Sequence, residues 1–189
     1  MKIFLNIIRK KIVYILQITG LKKPVYWQKR KNYLYYKKII EIVEKYCKNC
    51  NSVIDVGSKD TEVLKEFKYI HKRVALDIYK LPNIPGVQNI LSDFNEYEDD
   101  EYYDLVLCLQ VLEHLEDPKP FTHKLFLTGS NIIISVPYNW HGSRTKCHVQ
   151  DPVDEKKLKS WTDKDPDELH IVREINGTER MIALYLRNN

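Results

Sequence analysis

The sequence has few cysteines, and they are poorly placed for a disulfide framework. Its 189 residues include four, at positions 47, 50, 108 and 147, which does not match a secreted domain held together by disulfides. Cys47 and Cys50 form a CxxC pair, but no second pair with zinc-ligand spacing follows, and Cys108 lies inside an apolar run. The cysteines therefore indicate a protein of the reducing cytoplasm.

The sequence also lacks an uninterrupted apolar run long enough to span a membrane. In the first 20 residues, MKIFLNIIRKKIVYILQITG, three basic residues at positions 9–11 interrupt the apolar residues, and no small-residue cleavage site is evident. The apolar positions fall near one helical face, which predicts a basic amphipathic helix. Such a helix can lie on a membrane surface, cover a cleft, or pack on the domain or on a second copy of the chain. Peripheral membrane contact and oligomer formation both stay open.

Acidic residues are scarce in the first part of the chain. Residues 1–50 contain 13 lysines and arginines but only 2 glutamates, whereas the whole chain has a net charge of +4, so residues 51–189 are net acidic. We therefore predict a basic helical arm or cap over residues 1–50 and a separate body over residues 51–189. A second amphipathic helix in the arm is predicted from the spacing of Leu34, Ile39, Ile42, Val43 and Tyr46.

Aromatic residues alternate with lysines in the arm, in the stretch VYWQKRKNYLYYKK. Stacking aromatic side chains with lysines between them can bind nucleic acid. An acidic body would repel phosphates, so we favour a cap that closes over a small-molecule substrate.

Five short apolar runs predict the parallel strands of an α/β domain. VIDV, KRVALD, QNILSD, YDLVLCL and NIIISVP begin at residues 53, 72, 88, 103 and 131. Short runs rich in β-branched residues are typical of strands covered on both faces. Two further strand-like runs around Asn176 and Gly177 predict a hairpin near the C-terminus.

Three helices and one loop are predicted between these strands. The first helix is expected to open at Ser58–Asp60 and to bury Val63, Leu64 and Phe67. A second is expected to begin over Gln110–Leu115, and a third to run from Asp151 and Pro152 to about Trp161. Two prolines and a glycine between Asp77 and Gln88 predict a loop there.

The carboxyl ends of the strands predict a binding site. Ligands gather at this edge of an open α/β sheet, and Gly57 permits both a sharp turn and a close approach of a ligand to the backbone. Asp77 ends the second strand about 20 residues later, the spacing at which a carboxylate meets ribose hydroxyls in nucleotide-binding folds. A tight turn without a ligand is the alternative reading of Gly57.

The motif series DVG, LD, SD, YDLVLCLQVLEHLEDP and IIISVP resembles that of the class I S-adenosylmethionine-dependent methyltransferases, over about Val53 to Leu186. VLEHLEDP in particular is similar to the small-molecule methyltransferases of bacteria. The resemblance implies a Rossmann-like, seven-stranded, mostly parallel sheet with an antiparallel C-terminal hairpin, preceded here by the helical arm, and S-adenosylmethionine as cofactor. It implies that the methionine end is held by Asp55 and Gly57 with Ser58 beside them, the ribose by Asp77, the adenine by Asp93 and the Phe94 amide, and the rest of the pocket by Leu109 and Gln110.

This chain departs from the family at two points. Lys59 and Thr61 stand where the cofactor loop usually has further glycines, which motivates one alternative, an inactive methyltransferase-like partner or scaffold protein. A second alternative is an RNA methyltransferase that uses the basic arm. The chain also resembles the metal-dependent RNA 2′-O-methyltransferases, which carry ExxEH after the fourth strand, but Gln110 replaces the first glutamate here and argues against a metal.

A histidine is the predicted proton acceptor. His148 lies in a long polar and aromatic segment after the fifth strand, which should overhang the cleft, and Asp151 should fix the helix that follows it. His114 beside Glu113 is the second candidate; alternatively, Glu113 braces a helix and His114 packs there. The predicted substrate-binding residues of the same segment are Tyr138, Trp140, His141 and Arg144.

The sequence-based hypothesis is a cytoplasmic, bacterial-type methyltransferase acting on a small polar molecule. Methyl transfer from a sulfonium is an in-line displacement, so the enzyme mainly aligns two reactants, and a base helps most when the nucleophile is a hydroxyl. A hydroxyl of a sugar or of another surface-glycan metabolite is expected as the acceptor on family resemblance alone.

Overall fold

Seven strands form one mixed sheet in a computed structural model, which describes residues 26–98, 100–141 and 147–187. The strands are β1 Ser52–Val56, β2 Lys72–Asp77, β3 Gln88–Leu91, β4 Tyr103–Leu109, β5 Gly129–Pro137, β6 Glu168–Arg173 and β7 Glu179–Tyr185. Their order is β3-β2-β1-β4-β5-β7-β6; β1 to β5 pair in parallel, and β7 pairs antiparallel with both β5 and β6. The predicted fold class, including the C-terminal hairpin, is confirmed. The predicted helix of the first 20 residues lies outside the described residues, as does Arg144.

The central strands are buried on both faces, which explains their apolar runs. In β4, Leu105 and Leu107 belong to the core on one face, whereas Val106 and Cys108 belong to the core on the other. Successive side chains of a strand point to opposite faces, so a strand between two cores needs apolar residues at nearly every position.

Two helices near the start of the described chain pack on the first face. These are α1, Tyr26–Arg30, and α2, Leu34–Tyr46. The predicted helix is thus confirmed, and it buries Tyr35, Tyr36, Ile39, Ile42 and Val43. Residues 27–46 therefore share a core with the sheet, while the domain boundary predicted at residue 50 stays a prediction. The cysteine pair follows directly, with Cys47 as the C-cap residue of α2 and both thiols free.

A carboxylate from the β6–β7 hairpin caps the N-terminus of α2. Glu174 accepts hydrogen bonds from the backbone amides of Leu34 at 2.8 Å and Tyr35 at 3.1 Å. The N-cap residue of α2, Tyr33, makes no side-chain capping bond, so Glu174 satisfies amides that the helix leaves without partners. Its charge is matched by Arg180 of β7, whose Nη1 lies 3.6 Å from Glu174 Oε1, and both side chains are almost fully buried.

The second face is covered by α3, Pro118–Thr128, and α4, Glu155–Thr162. The Asp117 carboxylate accepts from the Lys119 amide at the start of α3, and the Asp154 carboxylate accepts from the Lys157 amide at the start of α4. No helix forms over residues 78–87, as predicted. Within the described ranges, none of the helices is both long and apolar enough to cross a bilayer.

The predicted helix after Gly57 is wrong. Only a short 3-10 turn forms there, over Val63–Lys65. Lys59 takes a left-handed backbone conformation, with a φ of 51°, and its amide donates to the Asp77 carboxylate. The left-handed conformation is incompatible with the first turn of an α-helix, so the chain enters a loop instead, and the hydrogen bond to Asp77 holds that loop in place.

The two other predicted helix starts are wrong in position. After β4, Gln110 is left-handed, with a φ of 59°, and a 3-10 turn over Leu112–His114 precedes α3. The helix predicted from Asp151 begins at Glu155, because Asp154 is the N-cap residue and the Asp151 side chain pairs with His148 instead.

Candidate active site

A cleft of about 460 Å³ lies at the carboxyl ends of β1, β2 and β4. Its volume falls within the range of small-molecule sites, and its place is where ligands bind in open α/β sheets. Tyr35 and Tyr36 of α2 form part of its wall, so α2 reaches the cleft. The predicted cofactor residues that line it are Gly57, Ser58, Asp77, Asp93, Phe94, Leu109 and Gln110.

Asp77 is the carboxylate that the structure holds most firmly at this edge. It is only 7% exposed. Its Oδ2 accepts from the Lys59 amide at 2.7 Å, and its Oδ1 accepts from the Tyr79 amide at 2.8 Å. Each carboxylate oxygen has a further lone pair, so Asp77 can also accept from a vicinal pair of hydroxyl groups.

The loop after β1 forms although Lys59 and Thr61 stand where further glycines were expected. Gly57 has a φ of 76°, and a Cβ there would overlap the side chain of Val111, so only glycine fits. Lys59 adopts the left-handed conformation itself, with an exposed side chain. The Thr61 hydroxyl turns toward Asp55, to which it donates at 3.4 Å.

Asp55 lies beneath this loop and is not among the residues that line the cleft. Its side chain is 1% exposed, and its Oδ1 has no hydrogen-bond partner. Burial raises the pKa of the Asp55 carboxyl to about 7, and the nearby Asp77 charge adds to the rise. Its predicted contact with the methionine end of the cofactor stays a prediction.

The predicted adenine residues lie in a turn after β3. Asp93 is exposed, and its Oδ1 accepts from the Asn95 amide at 2.8 Å. Phe94 is buried against Phe121, with ring centroids 4.9 Å apart. The turn is tied to β2 by the Ser92 amide, which donates to the Asp77 carbonyl at 3.0 Å.

Gln110 is fixed in its left-handed conformation by three hydrogen bonds. Its amide N–H donates to the Ser135 carbonyl at 2.8 Å, and its side-chain NH₂ donates to the Ser135 hydroxyl at 3.3 Å. Its Oε1 accepts from Arg180 Nε at 3.2 Å. A left-handed, non-glycine residue at a cleft is typical of functional sites, where surrounding contacts offset the strain.

A cluster of four ionisable side chains lies beside the cleft, and we call it the acceptor cluster. It comprises Glu113, His114, His148 and Asp151. The imidazole rings of His114 and His148 meet edge to face at 4.7 Å, and Glu113 Oε1 lies 3.9 Å from His114 Nε2 and 4.0 Å from His148 Nε2. His148 Nδ1 lies 2.8 Å from Asp151 Oδ2. His114 reaches the cleft wall directly. The structure thus brings together both histidines predicted from the sequence.

Backbone hydrogen bonds hold the segment around His148 against the turn after β4. The Glu113 carbonyl accepts from the amides of Val149 at 2.9 Å and Gln150 at 3.3 Å. The Gln150 side chain also donates to the carbonyls of Leu115 and Glu116, both at 2.9 Å. These contacts join residues about 35 positions apart, which is why local sequence patterns could not place Glu113 beside His148.

Burial shifts two pKa values in the acceptor cluster. Glu113 is 1% exposed, and burial raises the pKa of its carboxyl to about 8. Burial also lowers the pKa of His114 below its ordinary value, although the hydrogen bond to the Cys147 carbonyl opposes this. Both shifts favour the neutral side chain, as expected where charges lose their hydration.

The predicted substrate-binding residues fall in different places. Trp140 stacks on His148, with centroids 5.7 Å apart, and its Nε1 donates to the Glu179 carbonyl at 2.9 Å. Tyr138 donates to Glu155 at 2.9 Å and His141 is exposed, and neither lines the cleft. Of the three that the structure describes, only Trp140 is therefore built into the site, through the acceptor cluster.

Sequence reasoning did not find Arg180, which connects several parts of the site. The guanidinium lies over the rings of Tyr35 at 4.7 Å, Tyr33 at 5.0 Å and Trp140 at 5.6 Å, in addition to its contacts with Glu174 and Gln110. The available signal was its place directly before the apolar residues 181–185 of β7, because a charged residue is buried only when it is paired.

The fold and this cleft define the chain as having the architecture of the class I methyltransferases. No protein-family model matches the sequence. No curated protein matches it with significance either. Solved structures match well in fold, at 11–15% sequence identity for the three that follow.

The three similar structures are all methyltransferases. The 1,6-didemethyltoxoflavin-N1-methyltransferase of Burkholderia thailandensis, with that compound and S-adenosylhomocysteine bound, has a TM-score of 0.68 at 13% identity, covering 98% of this chain and 89% of its own. The N-methyltransferase NodS of Bradyrhizobium japonicum, with S-adenosylhomocysteine, has 0.62 at 11%, covering 89% and 95%. The methyltransferase domain of bacterial CtHen1-CN has 0.59 at 15%, covering 80% and 97%. The fold predicted by resemblance is thereby confirmed.

Proposed function

We propose that this protein transfers a methyl group from S-adenosylmethionine to a hydroxyl of a small polar molecule. One observation carries the proposal: the acceptor cluster adjoins the same cleft that Asp77 and Gly57 line. Neighbours in fold supply support, since two of them contain S-adenosylhomocysteine, the demethylated cofactor.

The residues of the cleft fit the proposed cofactor. Asp77 offers free lone pairs to ribose hydroxyls, the Gly57 turn leaves room for close approach, and Phe94 with Leu109 gives apolar surface for a base. When bound, the cofactor supplies a methyl group on a sulfonium, which an aligned nucleophile can displace.

The acceptor cluster supports a hydroxyl as the nucleophile. A hydroxyl must lose its proton during transfer, and two imidazoles and a carboxylate lie together beside the cleft. Tyr35 and Tyr36 add a wall from the cap. The preference for a sugar or another surface-glycan metabolite, and a cytoplasmic location, rest on the sequence alone.

Two measurements test the proposal. Calorimetric titration of the purified chain with S-adenosylhomocysteine should give saturable binding at one site per chain. Mass spectrometry of a cell extract incubated with the protein and labelled S-adenosylmethionine should then reveal a methylated small molecule. Absence of cofactor binding would favour the scaffold alternative, and label found only in RNA would favour the RNA alternative.

A further inference from the structure

Three potential metal ligands converge in the acceptor cluster. One ligand atom each from Glu113, His114 and His148 lies within 4.8 Å of the other two, with Glu113 Oε1 at 3.9 Å and 4.0 Å from the two Nε2 atoms. Atoms bound to one ion at about 2.1 Å lie roughly 3 to 3.5 Å from each other. Small side-chain rotations would therefore bring all three onto a common ion.

Both imidazoles are anchored through their other ring nitrogen. His148 Nδ1 lies 2.8 Å from the Asp151 carboxylate, and His114 Nδ1 lies 3.0 Å from the Cys147 carbonyl. Both partners only accept, so each neutral ring carries its proton on Nδ1 and keeps a lone pair on Nε2. Metal-binding histidines are oriented in this way by a carboxylate or a carbonyl behind the ring.

The buried Glu113 carboxylate has an oxygen without a hydrogen-bond partner. Its Oε2 is buried without a hydrogen bond, and a buried polar atom without a partner is costly. Arg180 acts electrostatically on Glu113, but its own charge is matched by Glu174 at 3.6 Å. A cation held between Glu113 and the two histidines would give the carboxylate as a whole a partner of opposite charge.

We infer that Glu113, His114 and His148 bind a first-row divalent cation such as Mn²⁺, Fe²⁺ or Zn²⁺. Two histidines and one carboxylate suit these ions, and three protein ligands would leave coordination positions open for a substrate oxygen. The inference rests on the proposed function and deepens it: a cation bound there would favour the ionised form of the acceptor hydroxyl, whose proton would leave to solvent. The methyl group would join that oxygen as its bond to the sulfonium sulfur breaks, and S-adenosylhomocysteine would be the leaving group.

This inference changes two sequence-based predictions. His148 becomes a ligand rather than the proton acceptor, and the site takes a metal although the motif argued against one. Gln110, whose replacement of glutamate carried that argument, has its Oε1 engaged by Arg180 and is not part of the set. The ligand that completes the set comes instead from His148, 34 positions beyond His114.

Mn²⁺ binding to the full-length chain tests the inference without any assay of activity. Mn²⁺ prefers nitrogen and oxygen ligands, so the free cysteine thiols compete little for it. Electron paramagnetic resonance of free Mn²⁺, with calorimetry, should show one ion bound per chain. His148→Gln and Glu113→Gln should each weaken binding by at least about tenfold.

His123→Gln provides the matched control. His123 is exposed on α3 and also pairs with a carboxylate, Asp163, at 2.9 Å, so its replacement should leave Mn²⁺ affinity unchanged. No Mn²⁺ binding, or equal affinity in all three variants, would overturn the inference. Stabilisation by S-adenosylhomocysteine verifies that each variant is folded, and His148→Gln decides the question if Glu113→Gln does not fold.

Failure of this inference can be told apart from failure of the proposed function. If S-adenosylhomocysteine binds and methyl transfer continues in the presence of EDTA, the inference of a cation site is wrong, whereas the methyltransferase proposal is supported. If Mn²⁺ binds but S-adenosylhomocysteine does not, the cation site stands and the methyltransferase proposal is wrong.

Discussion

At the scale of single residues, the site depends on side chains whose polar atoms are already partly committed. Asp77 accepts hydrogen bonds from two backbone amides. Gln110 is hydrogen-bonded to Ser135 and Arg180, and His148 is hydrogen-bonded to Asp151. Each is thereby fixed in position before any ligand arrives. Preorganised side chains of this kind lose little conformational entropy when a ligand binds. We therefore expect each substitution to affect either cofactor binding or methyl transfer, rather than both.

Replacing Asp77 with alanine should weaken binding of S-adenosylhomocysteine by about 5- to 150-fold, equivalent to about 1 to 3 kcal/mol. The change leaves the ribose hydroxyls without an acceptor and frees the Lys59 and Tyr79 amides. Calorimetric titration measures the effect. Asp104→Ala is the matched control, because Asp104 also accepts from two backbone amides, those of Asn51 and Ser52, but at the opposite end of the sheet. Equal losses in the two variants would contradict a ribose contact at Asp77.

Replacing His148 with alanine should reduce the rate of methyl transfer by about a hundredfold to ten-thousandfold. The reason is that His148 belongs to the group that activates the acceptor, whether through its proton or through a cation. Affinity for S-adenosylhomocysteine should stay within about twofold, since His148 does not line the cofactor cleft. Turnover on the identified acceptor is the measurement, with His123→Ala as the control. Near-normal turnover in His148→Ala would show that alignment alone suffices.

At the scale of elements, the strands and α2 were predictable, whereas the three helices expected after Gly57, at Gln110 and from Asp151 were not. A buried strand can be predicted from neighbouring residues, as the apolar run of β4 illustrates. The β6–β7 hairpin can be predicted from its turn residues, Asn176 and Gly177. The helix expected after Gly57 fails because a single residue, Lys59, takes a left-handed conformation held by a carboxylate on another strand. Such long-range bonds leave no pattern in the neighbouring sequence.

The same contrast applies to the site. Asp77 and Gly57 were predictable because Asp77 ends β2 and Gly57 follows β1, and both strands end at the same edge of the sheet. Glu113 beside His148 was not, because backbone bonds from Val149 and Gln150 set that contact. Asp151 was expected to cap a helix, and its partnership with His148 appears only once the chain is folded.

The hairpin turn between β6 and β7 connects α2 to the sheet through Glu174. Glu174→Ala should reduce the free energy of unfolding by about 3 to 5 kcal/mol, because it removes two amide contacts at the start of α2 and leaves the buried Arg180 uncompensated. Urea denaturation measures this loss. Hydrogen exchange at the Leu34 and Tyr35 amides should accelerate at the same time.

Glu168→Ala is the control for that variant. Glu168 also connects the hairpin to α2, through Lys45 at 3.1 Å and through the Tyr46 hydroxyl, but these contacts are partly open to solvent. Exposed ion pairs stabilise little, so the loss should be far smaller. A comparable loss in both variants would mean that general hairpin–helix contact, rather than the buried cap, holds α2 in place.

At the scale of the whole molecule, one sheet separates two cores, and the polar groups that serve the site are embedded at its carboxyl edge. Asp55, near the carboxyl end of β1, is such a group: it is fully buried, with one oxygen lacking a partner. Burial of a carboxylate there costs stability whenever it is charged. The stability of the entire domain should therefore depend on pH through this residue.

The direction follows from proton uptake. The pKa of Asp55 is about 7 in the folded chain, against about 3.9 when unfolded, so between these values the folded state binds more protons than the unfolded state. The stabilisation from the protonated carboxyl is complete below about pH 4 and is lost as the pH rises through about 7.

Asp55→Asn should abolish this pH-dependent loss of stability, because an amide does not ionise. Its free energy of unfolding, relative to that of the original chain, should rise by up to about 4 kcal/mol between those limits. Urea denaturation of both proteins from pH 4 to pH 8 measures the difference, and Asp100→Asn, at an exposed position, controls for removal of a charge. A difference that does not vary with pH would show that Asp55 is already ionised in the folded protein and is stabilised by a group beneath the loop.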